Sequence, residues 1–242
     1  MQLCLTPIST NMKKTGVTEG YSCDFCNREF KRPNSLLNHI CEPKHRWMEK
    51  DQHGNRIGFQ SWLQFYAKTS MSKKNRTQLE FIKSPYYTAF LKFGMYCAEV
   101  NVISVNRYTD WLLKEQVRID NWAQDTNYTK FLITHVRAED PMDAIARSIE
   151  TTIKLAEIEK IQACDYLRYA NPNKVCYAVS SGKISPWMLY QSDSGTKFLS
   201  TLNSDHVTMI LDYINPEQWA IKFKRDPDAA AQVKGLLKQA GY

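Results

Sequence analysis

The sequence lacks the long apolar run that a membrane-spanning helix requires. A helix that crosses a bilayer needs about 20 predominantly apolar residues, and the 242-residue sequence contains no such run. The apolar segment at residues 3–8 is too short for a signal-peptide core, and the nearest lysines follow it instead of preceding it. We therefore expect a protein with no membrane partner and no secretory signal.

A disulfide framework is also absent. The seven cysteines are odd in number, and apart from Cys23 and Cys26 they are scattered along the chain. Disulfide-rich domains belong to oxidising compartments and show regular cysteine spacing. This cysteine usage therefore predicts a reducing, intracellular location.

Catalytic motifs are the third absence. The pair Gly182-Lys183 would need a glycine at position 177 to complete a phosphate-binding loop, and that position is occupied by Tyr177. His135 and His206 stand far from each other and from any nucleophile pattern. We therefore predict a protein that is not an enzyme, we identify no small-molecule substrate, and we keep a nuclease as the third hypothesis.

One stretch, residues 21–45, carries most of the functional signal. Two residues separate Cys23 from Cys26, twelve separate Cys26 from His39, and five separate His39 from His45. Two thiols in a tight turn and two imidazoles on one helical face can complete a tetrahedron around Zn²⁺. Cys41 is a competing ligand, but His45 fits the spacing better. The predicted ligands of one structural zinc ion are Cys23, Cys26, His39 and His45.

Apolar positions in the same stretch support a small ββα unit. Tyr21 lies two residues before the first cysteine, Phe30 four residues after the second, and Leu36 three residues before His39. With these positions the stretch resembles the Cys2His2 zinc-finger family. A fold of this size buries little apolar surface, so the metal is expected to supply folding free energy.

The positive charge of the chain is concentrated in the part that contains this stretch. Residues 1–80 hold 13 Lys and Arg against 7 Asp and Glu, whereas residues 81–242 hold 19 against 18. A basic segment around a zinc finger predicts a polyanionic partner, and we expect nucleic acid, with DNA favoured.

Candidate nucleic-acid contacts lie on the predicted finger helix and on the basic segments that follow it. The resemblance to the finger family implies that positions just before and along the helix face the major groove, where arginine can bind guanine and asparagine can bind adenine. The alternative is a solvated polar face on a finger that contacts protein. The candidates are Lys31, Arg32, Asn34, Ser35, Asn38, Lys44, Arg46, Lys73, Lys74 and Arg76.

The remainder of the chain predicts helices. A capping residue precedes proline at six places, and such pairs are typical of helix starts because proline lacks the N–H that a first turn leaves unpaired. These pairs are Ser84-Pro85, Asp140-Pro141, Asn171-Pro172, Ser185-Pro186, Asn215-Pro216 and Asp226-Pro227. The predicted fold class is therefore mainly α, with an N-terminal ββα Cys2His2 finger followed by an all-helical domain.

Four segments follow from these patterns. We predict a flexible N-terminus at 1–20, the finger at 21–48, a linker helix with a basic loop at 49–80, and an all-α domain at 81–242. The aromatic stripe of the linker helix, Phe59, Trp62 and Tyr66, is expected to pack in a core, with base stacking as the alternative.

Three segments of the helical part resemble a family of uncharacterised tailed-bacteriophage proteins that carry an N-terminal finger and a helical body. They are residues 82–94, 181–190 and 214–219. The resemblance implies expression inside a bacterial host, in its cytoplasm, and no particular activity. Our first hypothesis places the finger and its basic flank on nucleic acid and the helical body on a protein of phage replication or transcription. The alternative hypothesis is a structural or adaptor protein of the virion, in which the finger is a protein-contact or folding module.

Overall fold

The computed structural model describes residues 20–71 and 74–242, and these residues confirm a mainly helical chain that begins with a small hairpin. Strands β1 (Tyr21–Ser22) and β2 (Glu29–Phe30) pair antiparallel, with Tyr21 opposite Phe30. Helix α1 (Pro33–Leu37) follows and contacts both strands. The predicted flexible N-terminus lies outside the described residues, apart from its last residue.

Helices account for most of the described chain after the hairpin. They are α2 (Glu42–Met48), α3 (His53–Thr69), α4 (Gln78–Ile82), α5 (Tyr87–Val100), α6 (Val105–Lys114), α7 (Asp125–Ala138), α8 (Pro141–Glu159), α9 (Tyr166–Tyr169), α10 (Pro172–Ser180), α11 (Pro186–Gln191), α12 (Asp193–Ser200), α13 (Ser204–Ile214), α14 (Pro216–Arg225) and α15 (Pro227–Gln239), with short 3₁₀ turns at Ile119–Asn121 and Ala163–Asp165. Within residues 20–71 and 74–242, no helix combines the length and the apolar character that crossing a bilayer requires.

Capping chemistry explains where five of these helices begin. In α8, α10, α11, α14 and α15, a Ser, Asp or Asn side chain accepts hydrogen bonds from the first turn and proline stands at the next position. The pair Ser84-Pro85 behaves differently. The Ser84 hydroxyl accepts from the backbone N–H of Tyr86 at 3.1 Å, which closes a turn, and the helix begins only at Tyr87.

The chain divides into two compact units, one ending at Thr109 and the other formed by Asp110–Tyr242. The boundary predicted from the sequence lies after residue 80 instead. The physical reason for the difference is that α5 packs against α3 from Gly54 to Phe65, so α5 belongs to the core of the first unit and not to a second domain.

Close contact between α3 and α5 depends on glycines at the crossing point. A Cβ atom on Gly94 would lie 2.1 Å from the backbone oxygen of Gly54, and one on Gly58 would lie 2.5 Å from the backbone oxygen of Phe90. Only residues without a side chain allow the two backbones to approach this closely.

The core of the first unit is aromatic. Trp62 is 2% exposed and its ring lies 5.4 Å from the ring of Phe81, which also contacts Phe59 at 5.5 Å. Buried aromatic pairs of this kind contribute both apolar area and ring–ring attraction. The aromatic stripe of α3 therefore packs in the core, as expected.

In the second unit, α11 occupies the centre. Its residues Pro186 to Leu189 are buried, and α8, α12 and α15 pack around it. Trp187 contacts the rings of Trp219 and Phe223 at 5.7 and 5.2 Å. Glu139 is almost fully buried and forms a bidentate ion pair with Arg147. Nη1 and Nη2 of Arg147 donate to its two carboxylate oxygens at 2.6 and 2.8 Å.

Candidate metal centre and nucleic-acid interface

The hairpin positions the first two thiols of a metal centre. The backbone N–H of Cys23 donates to the carbonyl of Arg28 at 3.0 Å, and the N–H of Asn27 donates to the carbonyl of Cys23 at 2.8 Å. Asn27 has a φ of 58°, a left-handed conformation that asparagine tolerates better than most residues. This tight turn places Cys23 and Cys26 on the same side of the loop.

Proline at position 43 decides how the chain supplies the other two ligands. Proline cannot donate to the carbonyl four residues earlier, which belongs to His39, and its ring crowds that carbonyl in a continuous helix. Helix α1 therefore ends at Leu37 and a second helix begins at Glu42, with Cys41 as its N-cap. The ammonium of Lys44 donates to the freed His39 carbonyl at 2.9 Å.

Four side chains converge where these elements meet: Cys23, Cys26, His39 and Cys41. All four ligand atoms lie within 4.8 Å of one another. The Cys23 and Cys41 sulfurs are 3.9 Å apart, and the Cys26 sulfur is 3.2 Å from Nε2 of His39.

The donor set and the distances fit a zinc ion. With Zn–S bonds of about 2.3 Å in a tetrahedron, two sulfurs should be separated by about 3.8 Å, which agrees with the 3.9 Å between Cys23 and Cys41. Three thiolates and one imidazole are soft and borderline ligands that suit zinc. Four protein ligands would also close the coordination sphere, so the ion would be structural and would offer no position for a substrate.

The thiols of this cluster influence one another. Burial acts to raise the pKa of Cys23. Hydrogen bonds from the backbone of Cys26 and Phe25 and from the side chains of Cys26 and Cys41 together outweigh burial, so the pKa of Cys23 lies below the ordinary value. Burial raises the pKa of Cys41, and the neighbouring sulfurs of Cys26 and Cys23 raise it further. A bound cation would relieve the repulsion between these thiolates, which is a physical reason for the group to take up a metal.

His45, the predicted fourth ligand, lies outside the cluster. It stands in α2, beyond the break at Pro43, and its side chain is 62% exposed, with Nδ1 3.4 Å from Oε2 of Glu49. The fourth ligand of the cluster is Cys41 instead, which the ligand spacing ranks below His45. The signal that pointed to Cys41 was Pro43, because it prevents one helix from carrying both His39 and His45.

The candidate nucleic-acid contacts on the finger are exposed to solvent. Arg32 is the N-cap residue of α1, and Asn38 is its C-cap residue. The exposed set consists of Lys31, Arg32, Asn34, Ser35 and Asn38. These five residues, which we call the finger face, follow β2 and span α1.

Other candidate nucleic-acid contacts form interactions within the protein. Lys74 forms an ion pair with Glu80 at 2.5 Å, which lowers the pKa of that carboxyl group. The guanidinium of Arg76 lies 3.7 Å from the ring centre of Tyr66. Lys73 lies outside the described residues. Two cations of the basic loop therefore interact with side chains of α3 and α4.

Arg46 has a structural role in the first unit. Its Nη1 donates to the backbone oxygen of Ile82 at 2.8 Å, its guanidinium lies 4.2 Å from the ring centre of Tyr87, and it pairs with Glu42. These contacts attach α2 to α4 and α5. Like Lys44, which bonds to the carbonyl of His39, Arg46 stabilises the surroundings of the metal centre.

No protein-family model, curated protein sequence or solved structure matches this chain.

Proposed function

We propose that the protein is a non-enzymatic, zinc-binding accessory protein that binds nucleic acid, with DNA as the expected form, through the finger face. The observation that carries the proposal is the combination of a Cys3His cluster with an adjacent exposed set of basic and amide side chains. Zinc would fix the hairpin and α1, and the finger face would then present its donors on a rigid support.

The contacts of the basic side chains indicate which of them can bind nucleic acid. Lys44, Arg46 and Lys74 are engaged with the fold, whereas Lys31 and Arg32 are exposed. Phosphate contacts come from cations that can leave solvent for the nucleic-acid backbone. We therefore assign the electrostatic part of binding mainly to Lys31 and Arg32.

The helical body would bind a protein partner. The resemblance of three of its segments to tailed-bacteriophage proteins supports a partner in phage replication or transcription, and the near-neutral charge of residues 81–242 supports a protein over a polyanion. The virion adaptor hypothesis has one structural observation in its favour, since Leu37 and Ile40 are each 64% exposed beside the finger face.

The experiment is a salt series of DNA binding by the zinc-loaded full chain, measured by fluorescence anisotropy with a labelled duplex. We compare the wild type with Lys31→Ala/Arg32→Ala. Loss of two phosphate contacts should weaken binding by roughly tenfold or more at low salt and reduce the slope of log K against log salt by about 2.

A matched variant controls for net charge. Lys234→Ala/Lys238→Ala also removes two exposed lysines, from α15, and should leave both affinity and slope unchanged. Equal weakening in the two double variants would show non-specific attraction and reject the finger face as the interface. Absence of binding by the wild type at low salt would reject nucleic-acid binding and favour the protein-contact alternative.

A further inference from the structure

A half-open surface pocket of about 310 Å³, which we call the cavity, lies beside the C-terminal half of α14, in the unit formed by Asp110–Tyr242. Its lining contains three cationic side chains, Arg137, Lys222 and Arg225, and one carboxylate, that of Asp226. Small-molecule sites in proteins begin at about this volume and combine an apolar wall with a few converging polar groups. Trp219 also lines the cavity.

The positive charges of the lining are poorly neutralised by the protein. Arg137 donates from Nη2 to the backbone oxygen of Asp212, and Lys222 donates to the backbone oxygen of Arg137. Backbone carbonyls at helix ends carry only partial negative charge. Within the described residues, Arg137, Lys222 and Arg225 form no ion pair with a carboxylate, and Nε of Arg137 is buried without a hydrogen-bond partner.

The nearby carboxylates have other roles. Glu139 is bound by both terminal nitrogens of Arg147 and accepts a hydrogen bond from the hydroxyl of Ser185 at 3.3 Å. Asp226 caps α15 by accepting from the backbone N–H of Ala229 at 3.1 Å. The cavity therefore keeps a net positive character although an aspartate lies in its wall.

The ammonium of Lys222 is fixed in place by aromatic rings. It lies 5.3 Å from the ring centre of Trp187 and 5.7 Å from that of Trp219, and such contacts attract a cation to the ring face. Burial lowers the pKa of Lys222, while Glu139 and Asp226 act in the opposite direction. An anion in the cavity would favour the charged form in the same way.

We propose that this cavity is a binding site for a phosphate group, held by the guanidinium groups of Arg137 and Arg225 and by the ammonium of Lys222. Guanidinium groups present several N–H donors in a planar fork that suits phosphate oxygens. The cavity volume of about 310 Å³ exceeds that of a bare phosphate and leaves room for the organic part of a phosphate ester. The ester can be a small phosphorylated molecule or the backbone of a nucleic acid. This site is in a different unit from the finger face and does not depend on the proposed function.

The test is isothermal titration of the zinc-loaded full chain with glycerol 3-phosphate and with inorganic phosphate. The informative pair of variants is Arg225→Gln and Lys224→Gln, since each removes one exposed charge from the last turn of α14 but only Arg225 lines the cavity. We expect saturable binding by the wild type, about tenfold weaker binding by Arg225→Gln, and no change in Lys224→Gln.

Three results would overturn the proposal. The first is the absence of saturable binding of either phosphate compound by the wild type. The second is equal weakening in Arg225→Gln and Lys224→Gln, which would show attraction by overall charge. Retention of phosphate binding in Lys31→Ala/Arg32→Ala is also required, and its loss would place the site at the finger face instead.

Competition identifies the source of the phosphate. In the Lys31→Ala/Arg32→Ala variant, bound glycerol 3-phosphate is followed by ³¹P NMR while a short DNA duplex is added. Displacement would support the site as a contact for backbone phosphates, and retention would support it as a site for a small phosphate ester.

Discussion

At the scale of single residues, the composition of the candidate metal centre depends on whether Cys41 or His45 supplies the fourth ligand. His39 and Cys41 are separated by one residue, and the chain between them is not helical. A Cys3His site carries one more negative charge than a Cys2His2 site around the same ion, because a thiolate replaces a neutral imidazole. The contact from Lys44 to the carbonyl of His39 brings a positive charge close to this site.

Substitution of Cys41 and of His45 separates the two ligand sets. We expect Cys41→Ser to weaken zinc binding by about 100-fold or more, because the structural-zinc free energy is shared among four ligands. His45→Gln should leave zinc affinity close to that of the wild type. Competition with a chromophoric chelator measures both affinities.

Thiol alkylation of the wild type provides an independent control. Zinc should protect Cys23, Cys26 and Cys41 from iodoacetamide, whereas Cys97 should resist labelling with or without zinc because burial raises its pKa to about 12. Labelling of Cys41 in the zinc-loaded protein, together with loss of affinity in His45→Gln, would restore His45 as the ligand.

At the scale of helices and strands, the sequence predicts features that depend on neighbouring residues. Cap residues before proline locate the starts of α8 and α15, because capping acts within one turn. The same local logic predicts three of the four clustered ligands. It does not predict that α5 belongs to the first unit, since that depends on the packing of Gly94 against α3. The spacing favours His45 as the fourth ligand, whereas the helix break that Pro43 imposes favours Cys41.

Two glycine substitutions should have opposite effects on helix stability. Gly94→Ala adds a methyl group 2.1 Å from the oxygen of Gly54, so we expect destabilisation of the first unit by more than about 2 kcal/mol despite the higher helix propensity of alanine. Gly235→Ala, where no atom lies within 4 Å of the added carbon, should stabilise α15 by about 0.5–1 kcal/mol.

Hydrogen exchange followed by mass spectrometry measures these effects locally, which is necessary because two units need not unfold together. Peptides from α3 and α5 report on Gly94→Ala, and peptides from α15 report on Gly235→Ala. Stabilisation of α5 by Gly94→Ala would show that the two helices do not cross as closely as described.

At the scale of the whole molecule, a metal bound to the Cys3His cluster and apolar packing would stabilise different parts of the chain. The residues around the Cys3His cluster bury little, since α1 and α2 contain no buried residue. The aromatic cluster between α3 and α5 and the core around α11 contain none of the four cluster ligands. This division predicts that folding of the finger is linked to zinc, while folding of the other helices is not.

Removal of the metal tests this division directly. With excess chelator, amides of the hairpin and α1 should lose their protection against hydrogen exchange, because the cluster would leave several thiols without the cation that holds them together. Helix α2 should lose only part of its protection, because the hydrogen bond from Arg46 to α4 does not involve the metal. Peptides from α8 and α11 should keep the protection of the zinc-loaded protein, and added zinc should restore the finger. Loss of protection throughout Asp110–Tyr242 would show that the second unit depends on the metal, and an unchanged hairpin would show that apolar contacts such as Phe30 against His39 hold it alone.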